Sequence, residues 1–260
     1  MPKIRLDVLL VSRGLAESRD WAQRLIRAGE VRVDEQVIDQ PSKLFAEGVA
    51  ITVDQPPKYV SRGGFKLEAA LDYFHIDPTG MTCADVGSST GGFTDCLLQR
   101  GAAKVYALDV GANQLHWKLR NDPRVVVMEK VNVRYLEGLP EPVELAVIDV
   151  SFISLELVLP SVFRWMKANP SPPWPLGGPL TPLPSGEGSV VALIKPQFEA
   201  GRDKVGKGGI VRDPAVHQAV VERITAFCAN QGWPAQGVIK SPILGADGNK
   251  EYLALLTKKV

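Results

Sequence analysis

ADVGSSTGGFTD, residues 84–95, joins a short apolar run to an aspartate and then to glycines at 87, 91 and 92 set among small hydroxyl residues. A turn of that composition lets backbone N–H groups approach a ligand closely. With a strand running into Asp85 and a helix beginning near Gly91, the ligand lies outside the carboxyl ends of a sheet, where doubly wound folds hold nucleotides. The glycine spacing is G-x-x-x-G-G, which departs from the G-x-G-x-x-G of dinucleotide folds.

Outward from this loop, helical and strand patterns alternate. Helices are predicted over 65–74, 91–100, 112–119, 155–168 and 214–230, the last with Asp213 and Pro214 as its start signal. Strands are predicted over 82–86, 104–109, 124–129, 144–149, 189–194, 235–241 and 251–257. That order implies an α/β body built on a doubly wound, mainly parallel seven-stranded sheet. NPSPPWPLGGPLTPLPSGEGS, residues 169–189, is rich in proline and glycine and is expected to be a disordered surface insertion.

Several polar residues fall on the rim where the strands end. Asp109 closes a strand in YALDVG and can accept both hydrogen bonds of a ribose diol, a device NAD enzymes share. Asn132, beyond the next strand, could pair with an adenine edge or simply cap a turn. Asp149 follows LAVI and Lys195 follows VVALI; a lysine there is costly unless a carboxylate or substrate meets it. Glu251 opens EYLALLT, and if that strand is antiparallel its start lies beside the others' ends. Lys66 sits in the first turn of its helix, against the macrodipole.

The first fifty residues have a different pattern. Leu6, Leu9 and Leu10 repeat at helical spacing, and Ser18 can cap a second helix that Gly29 stops. On that helix Trp21, Ala22, Leu25 and Ile26 share one face, while Arg19, Gln23, Arg24 and Arg27 share the other. VRVDEQVI is expected as a hairpin and GVAITVD as another strand. Two prolines in QPPKYVSRG suit a connector, so domains are drawn at 1–58 and 64–260 with a linker at 59–63.

A net charge of +1 over 260 residues gives no global attraction to nucleic acid, so such binding needs a local patch. Cys83, Cys96 and Cys228 lack metal-ligand spacing; no disulfide and no metal are expected, and reduced thiols suit a cytoplasmic protein. Arg5, Asp7 and Arg13 interrupt the apolar start, so neither a leader nor a membrane span is expected. The chain is expected to act as a monomer.

RLDVLLVSRGLAESRDWAQRLIRAGEVRVDEQVIDQPS, residues 5–42, resembles the S4 RNA-binding domain. Phosphate contacts from Arg19, Arg24 and Arg27, with Arg5, Arg13 and Arg62 as further candidates, would then position RNA without reading its sequence. ADVGSSTGGFTD looks like motif I of class I S-adenosylmethionine methyltransferases. That likeness implies a cofactor site of Asp85, Gly87, Ser88, Ser89, Thr90, Gly91, Gly92 and Phe93, with Asp109, Asn132 and Asp149 on the rim. The order Lys66, Asp149, Lys195, Glu251 is similar to the catalytic K-D-K-E set of FtsJ-like ribose 2′-O-methyltransferases. With SRGGFKL, DVSFISL, IKPQFE and GNKEYL also present, the chain resembles the TlyA family of rRNA methyltransferases over nearly its whole length, apart from 169–189.

The resemblance implies transfer of a methyl group to the 2′-oxygen of a cytidine in ribosomal RNA, within ribosomal subunits. In the family's scheme Lys195 takes the hydroxyl proton or steers its lone pair. AGRDKVGKGGIVRDP adds Arg202, Lys204, Lys207 and Arg212, which either face substrate phosphates or belong to a mobile solvated loop. Two rival readings stay open at this stage. One is a non-catalytic S4-type RNA-binding protein with a methyltransferase-like fold; the other is an NAD(P)-dependent oxidoreductase, opposed by the glycine spacing.

Overall fold

The computed structural model describes residues 3–16, 18–54, 58–167 and 188–258. The chain divides into two compact units, Met1–Lys58 and Tyr59–Val260. The insertion expected at 169–189 lies outside the described residues except for its last two, and Ser189 opens a strand.

In the first unit, in chain order, are β1 (Lys3–Arg5), α1 (Leu6–Ser12), α2 (Arg19–Arg27), β2 (Val31–Val33), β3 (Gln36–Val37), β4 (Leu44–Ala46) and β5 (Ile51–Val53). Ser18 caps α2 by accepting the Trp21 N–H at 3.2 Å. Asp34 and Glu35, with φ of 49° and 67°, make the two-residue turn that joins β2 to β3; positive φ at both positions matches the twist of the strands they connect. Leu6, Leu10, Ala22, Leu25 and Ile26 pack on Val31 and Val33. Trp21 is 41% exposed and does not join them. The nine-residue helix buries only the stripe at 22, 25 and 26, and Trp21 lies about 100° of helix rotation from Ala22.

Asp7 organises this unit. Its buried carboxylate accepts Arg5 Nε and Nη2 at 2.9 Å each, Gln23 Nε2 at 2.9 Å and Arg19 Nε at 3.0 Å. These donors, Arg5 first, hold the carboxyl well below the usual carboxylate range. A carboxyl depressed in the folded state stabilises above its unfolded value, about pH 4, and loses that contribution as pH falls toward the folded value. Asp7→Ala is therefore expected to cost about 1–3 kcal/mol at pH 7. The cost stays moderate because Arg5 and Arg19, 39% and 55% exposed, can turn to water. Urea unfolding followed by amide exchange in α2 should show the gap between wild type and variant closing below about pH 4; a gap independent of pH would contradict the role.

The second unit contains α3 (Gly63–Tyr73), β6 (Thr82–Val86), α4 (Gly92–Gln99), β7 (Lys104–Asp109), α5 (Trp117–Arg120), β8 (Val125–Glu129), β9 (Leu145–Ile148), α6 (Leu155–Trp165), β10 (Ser189–Ile194), α7 (Pro196–Glu199), α8 (Pro214–Asn230), β11 (Ala235–Lys240) and β12 (Tyr252–Thr257). Across the sheet the order is β8-β7-β6-β9-β10-β12-β11. The pairs from β8 through β10 are parallel, and β12 runs antiparallel between β10 and β11.

The continuous apolar runs LAVI and SVVALI form central strands buried on both faces. Period two then divides them: Val191 and Leu193 pack toward α3 and α4, whereas Val190, Ala192 and Ile194 pack toward α6 and α8. From β6 the chain winds outward through β7 and β8, then returns to β9 on the other side. That reversal opens a crevice between the carboxyl ends of β6 and β9.

The helix expected over 112–119 is a single turn at 117–120. Asp109 Oδ1 accepts the Gly111 N–H at 2.7 Å, Glu129 accepts the Gln114 N–H at 3.3 Å, and Asn113 has φ of 59°. The left-handed Asn113 interrupts a right-handed helical run, and His116, with ψ of 139° and its N–H given to the Thr90 carbonyl at 3.1 Å, lets the helix begin only at Trp117. The stretch 59–63, expected as a connector, is tied into the second unit: Tyr59 is buried, and the Val60 N–H donates to Asp95 Oδ2 at 2.8 Å.

Candidate active site

The loop after β6 is shaped by close approach. Gly87, with φ of 84°, passes so near β9 that a Cβ would sit 2.5 Å from the Asp149 carbonyl oxygen. Gly91, with φ of 97°, leaves no room for a side chain against Leu119. Asp85 is fully buried, and its Oδ2 accepts the Thr94 N–H and hydroxyl at 2.9 and 2.6 Å. Its Oδ1 has no partner among the described residues, and the residue lines a cavity of about 300 Å³. Burial pushes this carboxyl up to about 7.

Ser61, Arg62, Ser88, Ser89, Thr90, Gly92, Phe93 and Lys195 are also on the wall of that cavity. A second cavity of about 350 Å³ shares Gly87, Ser89, Asp149 and Ser151 with it, and adds Asp109 and Asn132. Asp109 is braced by accepting the Ser89 N–H on Oδ2 at 2.8 Å and the Gly111 N–H on Oδ1. Each oxygen keeps a lone pair for a ligand hydroxyl. Asn132 does cap a turn, accepting the Arg134 N–H at 3.1 Å on Oδ1; its amide nitrogen is the group left to meet a ligand edge.

The four charged residues from distant parts of the sequence form two ion pairs. Lys195 Nζ is 2.5 Å from Asp149 Oδ1, and Lys66 Nζ is 2.6 Å from Glu251 Oε2. Both lysines are buried and line the first cavity. The antiparallel β12 brings Glu251 to this end of the sheet, and Gly245 gives it space, since a Cβ there would collide with its carboxylate. Two partners were not singled out in the sequence: Ser151 Oγ accepts from Lys195 at 2.9 Å, and Gln197 Nε2 donates to Glu251 at 3.0 Å. Phe152 is a third. It is 90% exposed with φ of 62°, and its ring centre lies 4.8 Å from that of Phe198. The signal for all three was their place within DVSFISL and IKPQFE, immediately after strand ends.

Residues 59–258 match the FtsJ-like methyltransferases, and residues 4–51 match the S4 domain. The chain belongs to the FtsJ-like methyltransferase family. Among its relatives, YqxC of Bacillus subtilis (strain 168), provisionally named an rRNA methyltransferase, is 51% identical over 96% of this chain and 84% of its own. The 16S/23S rRNA (cytidine-2′-O)-methyltransferase TlyA of Mycobacterium tuberculosis is 44% identical over 98% of this chain and 90% of its own. A solved protein from Streptococcus thermophilus, provisionally described as a hemolysin, superposes with a TM-score of 0.70 at 44% identity, covering 100% of this chain and 90% of that one. Among the described residues no helix is long and apolar enough to cross a membrane.

The S4 domain of this methyltransferase distributes its arginines unequally. Arg5 and Arg19 are bound to Asp7, and Arg13 donates to the Val49 carbonyl at 2.7 Å and to that of Glu47. Arg24 and Arg27 are exposed, with no hydrogen-bond or ion-pair partner among the described residues. In the methyltransferase unit, Arg62 is exposed at the start of α3.

Proposed function

We propose that the chain transfers a methyl group from S-adenosylmethionine to the ribose 2′-hydroxyl of a cytidine in ribosomal RNA, as a cytoplasmic monomer acting on ribosomal subunits. The observation that carries this reading is the Lys195–Asp149 pair on the wall of the cavity that the glycine loop also lines. The choice of ribosomal RNA and of cytidine rests on the name of the Mycobacterium tuberculosis relative.

The residues present fit the cofactor. Asp85 Oδ1 lacks, among the described residues, a donor that a ligand ammonium would supply, Asp109 keeps acceptor capacity for a ribose diol, and Gly87 lies on the wall of both cavities. When bound, S-adenosylmethionine supplies a methyl group made electrophilic by its sulfonium. The chain supplies position and proton handling. Asp149 and Ser151 hold Lys195 Nζ from one side, so its remaining bonding position is available to a substrate hydroxyl. As that oxygen gains the methyl group, its O–H bond breaks and the proton passes to the Lys195–Asp149 pair. Lys66, fixed by Glu251, orients the hydroxyl from the other side.

Phe152 offers an exposed ring, held at an uncommon positive φ, on which an unstacked base can lie. Arg202, Lys204, Lys207 and Arg212 are exposed on a loop pinned by Asn249, which accepts the Val211 N–H at 3.1 Å and donates to the Gly209 carbonyl at 2.9 Å. A pinned basic loop favours the substrate-facing alternative over a mobile one.

Asp109→Ala is expected to weaken S-adenosylmethionine binding by about 10- to 100-fold, the worth of a charge-assisted hydrogen bond. Calorimetric titration with S-adenosylmethionine, and with NAD in parallel, checks this. Wild-type affinity in the variant, or preference for NAD, would remove the cofactor assignment; cofactor binding without turnover would favour the non-catalytic reading.

A further inference from the structure

We infer that Glu199 is a positioning residue for methyl transfer, locking together the two loops that carry Lys195 and Phe152; the inference rests on the ribose-methylation reading above. The first loop, 149–154, leaves β9 and enters α6. The second, 195–199, leaves β10 and includes α7. They run side by side and touch along their length: Lys195 meets Asp149 and Ser151, Phe198 meets Phe152, and Glu199 meets Ser154 and Leu155.

The last of these meetings is the most fully built. Glu199 is buried, and a buried carboxylate is tolerated only where donors satisfy it. Its Oε1 accepts the Leu155 N–H at 2.7 Å; its Oε2 accepts the Ser154 hydroxyl at 2.7 Å and Arg223 Nη2 at 3.0 Å. The Leu155 N–H belongs to the first turn of α6, one of the donors a helix cannot satisfy internally, and the helix dipole favours a negative charge there. Arg223, from α8, also donates to the Glu199 carbonyl at 2.9 Å and to Glu156 at 2.6 Å. Helices α6 and α8 are thereby fastened to the end of the loop that begins with Lys195.

The hydrogen bonds of this junction touch no atom of either ion pair. Its effect is to set where Phe152 and Ser151 stand relative to Lys195. A glutamine at 199 keeps the shape, but only one of its two terminal atoms can accept, so either the Leu155 N–H or Arg223 loses its acceptor and the Ser154 hydroxyl must re-orient. The segment 152–155 is then released relative to 195–198.

Glu199→Gln, Phe152→Ala, the double variant and Ser154→Ala would be compared with wild type in the full chain. Three readouts apply: single-turnover methyl transfer to ribosomal subunits, calorimetric affinity for S-adenosylmethionine, and amide exchange at Leu155. Glu199→Gln is expected to slow transfer by about 10- to 100-fold, as displacement of a positioned group does, with cofactor affinity held within about threefold. Its loss combined with that of Phe152→Ala is expected to be less than multiplicative, since both act through one loop. Full-rate transfer in folded Glu199→Gln, strictly multiplicative losses, or a matching loss of cofactor affinity would overturn the inference. Should Glu199→Gln fail to fold, Ser154→Ala removes one donor without uncovering a charge; slower transfer supports the lock and full rate overturns it. Wild type that methylates no ribosomal RNA would instead defeat the ribose-methylation reading. In that case Leu155 exchange decides: faster exchange in Glu199→Gln or Ser154→Ala supports the lock, and unchanged protection in both overturns it.

Discussion

Lys195→Met is expected to abolish detectable turnover, slowing methyl transfer by about 10³-fold or more, while leaving S-adenosylmethionine affinity within about threefold. Methionine keeps the length and most of the volume of lysine, so the loss reports the missing Nζ and not a cavity. Asp149 is left without its lysine, but its side chain is 21% exposed and water can reach it. Single-turnover transfer to ribosomal subunits, with calorimetric cofactor binding alongside, separates the two effects. A rate within tenfold of wild type would show that the Lys195–Asp149 pair serves only structure. Lys66 is a poorer probe of chemistry, because its removal strands the buried Glu251 carboxylate and so costs stability.

Reversing the charge of the two uncommitted S4 arginines, Arg24→Glu with Arg27→Glu, is expected to weaken binding to ribosomal subunits by about 10- to 100-fold near 0.1 M salt. The remaining affinity should fall less steeply with salt, by about 0.7–0.9 in slope for each phosphate that is no longer neutralised. Cofactor binding should be unchanged, since Asp85, Asp109 and both ion pairs lie in the second unit. A chain lacking residues 1–58 should likewise bind S-adenosylmethionine and fail on structured RNA. Arg19→Glu is a less clean probe, because it also disturbs Asp7. Full-rate methylation by either the charge-reversed or the shortened protein would remove the S4 unit as the docking element.

The parts of the fold legible in the sequence are those encoded by continuous pattern. LAVI and SVVALI announce strands buried on both faces, and the polar residue that follows each sits on the ligand rim. Pairing within the site was not legible in the same way. That Lys66 meets Glu251 while Lys195 meets Asp149 depends on β12 entering antiparallel between β10 and β11, and on the space left at Gly245. Ser151 and Gln197 carry no periodic signal, and only their place just after strand ends, in DVSFISL and IKPQFE, points to them.

One reading failed for a local reason, and another was refined. Residues 112–119 have helical spacing, but Asn113 stands in the left-handed region and His116 is non-helical, so only the turn from Trp117 forms. The basic face of α2 looked uniform, yet Asp7, twelve residues before Arg19, binds it together with Arg5 and leaves Arg24 and Arg27 uncommitted. A charge pattern counts cations; only the fold shows which of them are already paired.

The most direct measurement is to incubate the purified protein with unmodified ribosomal subunits and S-adenosylmethionine labelled in its methyl group, then map the label by nuclease digestion and mass spectrometry. The geometry around Lys195 and Asp149 predicts label on a ribose 2′-oxygen in wild type, and none with Lys195→Met; the proposed function places that label on a cytidine. Label on a base, or no transfer to ribosomal RNA by a protein that binds the cofactor, would contradict it.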